Sequence, residues 1–134
     1  MASGDIKLKY VASSSLTFTS VNSLTSSATF VAGAESTAVD NSTNLYIDYL
    51  LSGHITAGTT PTASKEIRVY VVGIENDSTW PDVFDGTDSA ETVTNTAILD
   101  SIGKLAAVMV PSTTSAVVYN FGPISVASLF GGVV

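Results

Sequence analysis

The stretch at residues 65–74, KEIRVYVVGI, constrains the fold more than any other part of this sequence. Ile67, Val69 and Val71 point to one side of the chain, and the polar residues between them point to the other. This period of two, in a segment rich in β-branched and aromatic side chains, predicts a half-buried β-strand. A long acidic loop, ENDSTWPDVFDGTDSAE, follows and ends at Glu91. Because strand patterns occur on both sides, this stretch is predicted to be the middle of an all-β domain.

Similar patterns predict about eight strands in one domain that spans residues 1–134. They are predicted at residues 5–10, 16–21, 28–32, 36–39, 44–56, 65–74, 104–110 and 116–121. Residues 92–103 fit either a helical turn or a strand, and Pro123 followed by ISVASLF predicts a short helix. Short antiparallel strands with one or two helical turns are typical of a β-sandwich, and we predict a jelly-roll-like one.

Two hairpins are predicted within this domain. Residues 44–56 form the longest predicted strand, and the loop AGTTPTAS would return the chain to residues 65–74. Residues 104–110 and 116–121 would form the second hairpin. Gly53 interrupts the longest strand and predicts a bulge or bend. Residues 104–110 are apolar on both faces, which predicts a central strand of a sheet.

The charge of the chain restricts its partners. Charged residues make up 13% of the sequence and the formal net charge is −7. Nucleic-acid binding requires a basic surface, so no nucleic-acid partner is predicted. The same reasoning opposes binding to anionic membranes, and no apolar run is long enough to span a bilayer. The chain has no cysteine, which excludes disulfides and thiolate metal sites.

The residues that could carry chemistry are few. His54 is the only histidine, and it lies on the outward face of the longest predicted strand. Because no nucleophile motif accompanies it, we predict a protein that is not an enzyme, with no catalytic residue and no cofactor. The acidic loop, which contains Gly86, has the residue types of a calcium site. Its spacing differs from that of an EF-hand, so a solvated acidic loop is favoured and no metal ligand is assigned.

The acidic loop also carries three large apolar side chains among polar ones, at Trp80, Val83 and Phe84. Aromatic residues are enriched at protein interfaces, which suggests a docking loop, although these side chains could equally fold back as a lid on the core. The lysines of the first predicted strand point outward and offer a second contact. The candidate partner-binding residues are therefore Lys7, Lys9, Trp80, Val83, Phe84 and Asp85.

Three longer phrases of the sequence resemble a known family. They are AESTAVDNSTNLYIDYLLSG at residues 34–53, WPDVFDGTDSAET at residues 80–92 and NFGPISVASLFGG at residues 120–132. Together they resemble a family of small proteins of tailed bacteriophages that are encoded near the head genes. The likeness covers most of the chain and includes no catalytic motif. Members of that family continue past the position of Val134, so the resemblance implies a further C-terminal segment.

The resemblance implies a virion structural protein. A capsid decoration or cement protein of this kind binds the outer surface of the major capsid protein lattice as a homo-oligomer, with a trimer favoured and a dimer as the alternative. It is made in the host cytoplasm and is located on the capsid exterior. Two other classes stay open: a tail, baseplate or host-glycan-binding attachment module, and a calcium-dependent hydrolase domain.

Overall fold

Antiparallel strands dominate the architecture, as the sequence predicts. The computed structural model describes residues 13–43, 46, 48–62, 64–76 and 78–126. In chain order these form a 3-10 helix at Ser20–Ser23, β1 at Ala32–Glu35, β2 at Leu50–Thr56, β3 at Ile67–Val72, β4 at Ser89–Thr92, α1 at Thr96–Ile102, β5 at Gly103–Met109 and β6 at Val118–Ser125. The predicted strand at residues 5–10 lies outside the described residues, as do several positions at the start of the predicted strand 44–56.

The six strands pair as three antiparallel ribbons: β1 with β4, β2 with β6, and β3 with β5. Within the described part of the chain no sheet has more than two strands. Both predicted hairpins are wrong, because neither β2 and β3 nor β5 and β6 pair with each other. The loop after β2 instead extends the β2–β6 ladder: Ala57 N–H donates to Val117 O (2.9 Å), and Ala116 N–H donates to Ala57 O (3.2 Å). Alternation determines which face a side chain occupies, but it does not select the partner strand.

The irregularity predicted at Gly53 is present, since the β2–β6 register shifts between Leu51 and Gly53. The extra residue lies on β6 rather than on the longest strand, because the two steps from Leu51 to Gly53 face the three steps from Ile124 to Phe121. Facing this shift, Gly122 has φ +83°, and a Cβ there would lie 2.3 Å from Leu51 O. The helix predicted to begin at Pro123 is wrong over residues 123–125. These residues continue β6, with Ile124 opposite Leu51, because ladder bonds to β2 stabilise the extended backbone. The later residues of that predicted helix lie outside the described chain.

Local interactions explain the other differences from prediction. Residues 16–21 form no strand, because the Asp88 carboxylate accepts the N–H groups of Thr19 and Ser20 that a ladder would need. The strand predicted at 28–32 begins only at Ala32, since Phe30 has φ 57° and interrupts the extended backbone. Residues 36–39 make single backbone bonds to two other segments and belong to no sheet.

The ambiguous segment at residues 92–103 contains the helix α1. Asn95 is its N-cap, and its side chain accepts a hydrogen bond from Ile98 N–H at 2.9 Å. The chain passes directly from α1 into β5 at Gly103, and the Tyr70 hydroxyl of β3 donates to Asp100 of α1 at 2.6 Å. Among the described residues no helix is both long and apolar enough to cross a membrane.

Burial is greatest at the ends of the strands. The buried hydrophobic residues of the described chain are Ala57, Val93, Met109 and Val126, each at most 8% exposed. Each is the last residue of a strand or directly follows one. No described side chain falls below 2% exposure. The faces of the ribbons therefore stay partly accessible, and this leaves apolar side chains available for contact with other molecules.

Candidate partner-binding surfaces

The acidic loop is predicted to end at Glu91, but residues 89–91 belong to β4 because they pair with β1. Carboxylates of the remaining loop, residues 75–88, hold it against the rest of the chain. Asp88 accepts four hydrogen bonds from Thr19 and Ser20, among them the N–H groups at 2.8 and 3.0 Å and the Ser20 hydroxyl at 2.7 Å. These donors hold the pKa of Asp88 far below its ordinary value. Asp82 likewise accepts from the Thr94 N–H at 2.9 Å and from the Thr94 hydroxyl, and these bonds lower its pKa. These hydrogen bonds fix the loop to Thr19, Ser20 and Thr94.

The middle of the loop is held by a carboxylate from β1. Glu35 Oε1 accepts from Gly86 N–H at 2.7 Å, and Oε2 accepts from Asp85 N–H at 3.2 Å. Partial burial nevertheless raises the pKa of Glu35, because it outweighs these two donors. The Asp85 carboxylate turns back to the N–H and hydroxyl of Thr87, which lower its pKa. Internal donors therefore already occupy oxygens of both carboxylates.

This arrangement bears on the calcium hypothesis. In the described part of the chain, no three histidine or carboxylate side chains lie close enough together to hold a metal ion. The physical reason is that Asp82, Asp85 and Asp88 turn toward three different partners rather than toward one point. These three aspartates therefore stabilise the local structure of the chain through internal hydrogen bonds.

The apolar side chains of the loop divide into covered and exposed ones. The Trp80 ring and the Ala38 side chain both pack close to Gly86: a Cβ added to Gly86 would be 3.0 Å from Trp80 Cζ2 and 3.1 Å from Ala38 Cβ. Trp80 and Phe84 are half-buried, whereas Val83 is 36% exposed and Asp85 is exposed. Trp80 thus covers part of its own loop. Of the six candidate partner-binding residues, the structure brings together the four of the loop, while Lys7 and Lys9 lie outside the described residues.

A second surface, which the sequence did not single out, lies on the outer side of the β3–β5 ribbon. In the ladder Arg68 is opposite Val108, and Tyr70 is opposite Leu105, so these four side chains share one face. Leu105 is 51% exposed and Val108 is 47% exposed. Val110, directly after β5, is 55% exposed. We call Leu105, Val108 and Val110 the β5 stripe.

Beside the β5 stripe is an open cleft of about 280 Å³. Two short segments form it, and its lining residues are Ser26, Ser27, Ala28, Phe30, Ser64, Lys65, Glu66 and Arg68. The Arg68 guanidinium lies 4.3 Å above the centre of the Phe30 ring, at cation–π distance. Its Nε and Nη2 also donate to Glu66 Oε2, at 3.0 and 2.8 Å. The cleft therefore combines an aromatic ring, serine hydroxyls and fixed charges.

The sequence contains a signal for this second surface. The central position predicted for residues 104–110 is wrong within the described residues, because β5 pairs only with β3. A strand that is apolar on both faces predicts a central position in a sheet. The same pattern arises when one face contacts the core and the other is left for a partner. His54, the remaining residue of chemical interest, is exposed in β2 opposite Asn120 and does not line the cleft.

Comparisons with known proteins add no relative to this picture. No protein-family model matches the sequence, and no curated protein or solved structure matches it either.

Proposed function

We propose that the protein is a non-enzymatic virion structural protein, a capsid decoration or cement protein that binds the outer surface of the major capsid protein lattice. The observation that carries the proposal is the β5 stripe, in which three aliphatic side chains are each about half exposed, two of them in β5 and the third directly after it. A run of this kind, beside a fixed arginine and an aromatic ring, has the composition of a protein interface.

The finer architecture is part of the same proposal. The three ribbons are the parts of an antiparallel β-sandwich with jelly-roll-like connections, and their exposed faces and open edges are covered on assembly. Assembly as a homo-oligomer, with a trimer favoured over a dimer, would bury part of this surface. Binding to the lattice would bury about 800 Å² for each partner, a standard interface size. Repetition over a symmetric lattice adds avidity.

The hydrogen-bonded structure of the acidic loop supports a role in stabilising an assembly. Asp88 accepts a hydrogen bond from Thr19, and Gly86 of the loop donates one to Glu35 of β1, so the loop is connected to two segments that are distant in sequence. Asp82 accepts a further bond from Thr94, just beyond the loop. A rigid loop loses little conformational entropy when it binds, so its exposed Val83 and Asp85 can contact the lattice at low cost. Such a protein stabilises a capsid by adding buried interface between neighbouring subunits, and no chemical step is required.

A symmetry-averaged electron-microscopy map of the intact virion tests this proposal. We expect density that fits this chain on the outside of the head lattice, with its oligomer centred on a symmetry axis. The map would also identify whether Val83 and Asp85 face the capsid. An undecorated head with matching density on the tail would contradict the proposal and favour the attachment module.

A further inference from the structure

We propose that the β5 stripe and the adjacent cleft form one docking surface, and that its occupant is a partner protein that presents a carboxylate beside aliphatic side chains. The carboxylate would enter the cleft near Arg68 and Lys65, and the aliphatic groups would lie along Val108 and its neighbours. This inference rests on the proposed function and names the surface that performs it. It places the principal contact on the β3–β5 ribbon rather than on the acidic loop.

Charge complementarity selects the occupant. The chain has twelve acidic residues and five lysines and arginines, and two of those five, Lys65 and Arg68, line this one cleft. Glu66 is the only acidic residue that lines it. A partner carboxylate is therefore attracted to the cleft and repelled by the acidic remainder of the chain, which determines how the partner is oriented.

The residues around Arg68 already hold its side chain in the orientation needed for binding. The Phe30 ring beneath the guanidinium and the Glu66 carboxylate beside it hold the side chain in one orientation. The two bonds to Glu66 use two of the five N–H donors that a guanidinium carries. An arginine that is already oriented loses less entropy on binding, and its planar fork suits a carboxylate.

The backbone of the cleft is strained on both sides. Phe30 has φ 57° and Ser64 has φ 62°, in the left-handed region that non-glycine residues rarely adopt. Both residues line the same cleft although they come from different segments. Strained conformations of this kind cluster at binding sites, because the surrounding structure must enforce them.

The β5 stripe supplies the apolar part of the surface. Val108, the middle residue of the β5 stripe, lies directly opposite Arg68 in the β3–β5 ladder, so the stripe runs alongside the Arg68 edge of the cleft. An arginine and an aromatic ring beside such a row form the arrangement found at interface hot spots. A second copy of the chain fits this surface less well, since it brings the same net charge of −7, whereas a different protein can present a carboxylate without that overall repulsion. The proposed occupant is therefore a different protein, the capsid subunit.

Binding of the purified full-length chain to heads that lack it tests the inference. Arg68→Ala and Val108→Ser should each weaken binding at least tenfold, because each removes a central contact. Lys104→Ala and Val118→Ser are the matched controls: Lys104 is an exposed cation on the opposite face of the same ribbon, and Val118 is 50% exposed in β6. Both controls should bind like the wild type. Circular dichroism of each variant verifies its fold, and the exposed Lys65→Ala replaces Arg68→Ala if the latter is unfolded.

Salt dependence supplies a second readout. Wild-type affinity should fall as ionic strength rises, since the cleft charges are open to solvent, and Arg68→Ala should reduce this dependence. A merely structural role for Arg68 would leave the salt dependence unchanged, and that result would overturn the inference.

The remaining outcomes separate the two proposals. If the wild type does not bind heads, the proposed function is wrong. If the wild type binds and the folded Arg68 and Val108 variants bind equally well, the function stands and this docking surface is wrong. Self-association that Arg68→Ala abolishes in analytical ultracentrifugation would overturn the choice of occupant in favour of a second copy. Binding of glycans by the cleft would overturn it in favour of the attachment module.

Discussion

Gly86 is the position where the acidic loop, β1 and the only tryptophan of the chain meet. Its N–H donates to Glu35 at 2.7 Å, its carbonyl accepts from Ala38 N–H at 2.9 Å, and the Trp80 ring covers its Cα. Its φ of +80° suits glycine alone. Gly86→Ala therefore changes two things at once: it places a side chain in a left-handed conformation, and its methyl group comes too close to the Trp80 ring and to Ala38.

The size of the effect follows from these two terms. A left-handed backbone costs a non-glycine residue about 1–2 kcal/mol. The new Cβ at 3.0 Å from Trp80 and 3.1 Å from Ala38 adds about 1 kcal/mol, at the low end for overpacking. Together these lower the free energy of unfolding by about 2–3 kcal/mol. With an m-value of about 1.5 kcal/mol per M, the urea midpoint falls by roughly 1.3–2 M.

Urea denaturation followed by tryptophan fluorescence measures this change, because Trp80 is the only tryptophan. The native emission should also shift as the ring becomes more exposed. Gly33→Ala is the matched control: it lies in β1, and a Cβ there meets nothing within 4 Å. We expect the control to unfold at or slightly above the wild-type midpoint. If Gly86→Ala has the midpoint and native emission of Gly33→Ala, the packing of Trp80 on Gly86 is wrong.

Two further predictions concern contacts that stabilise the fold. Gly122→Ala should destabilise the chain by more than about 3 kcal/mol, because its Cβ would lie 2.3 Å from Leu51 O and its φ is positive. The control Gly58→Ala adds a Cβ that meets nothing within 4 Å, so it should leave the urea midpoint unchanged. Equal midpoints for the two variants would contradict the β2–β6 pairing. Asp88 has a lower pKa in the folded than in the unfolded chain, so it stabilises the fold above its ordinary pKa near 3.8, and this stabilisation is lost as the pH falls through the folded pKa. Asp88→Asn should therefore lose less stability than the wild type between about pH 5 and about pH 2, and parallel acid profiles would argue against the contacts with Thr19 and Ser20.

Properties that arise from neighbouring residues could be predicted from the sequence. The alternation around Ile67 and Val69 predicted β3, because a period of two requires only that successive side chains point to opposite faces. The irregularity at Gly53 was predicted for a similar reason, since a residue without Cβ leaves room where the Phe121 ring approaches. The phage capsid assignment, by contrast, comes from the resemblance and stays a proposal.

Contacts between distant residues could not be predicted in this way. Asp88 and Thr19 are 69 positions apart, and nothing in the local sequence of either indicates that they are partners. The same holds for Phe30, whose ring lies beneath Arg68 of a different segment. The sequence predicts that the acidic loop is solvated or is a docking element. In the structure, most of its described carboxylates accept hydrogen bonds from within the chain, and the Trp80 ring packs on Gly86 of the same loop.

The sequence by itself determined the β-rich character, the strand at residues 67–72, the irregularity at Gly53 and the acidic character of the protein. These depend on the order of side chains along the backbone and on their charges. Only the tertiary structure decided which strands pair, that β5 exposes one of its two apolar faces, and that Arg68, Lys65 and Phe30 share a cleft. Strand pairing and exposure are set by the packing free energy of segments brought together across the whole chain, and no local pattern contains that information.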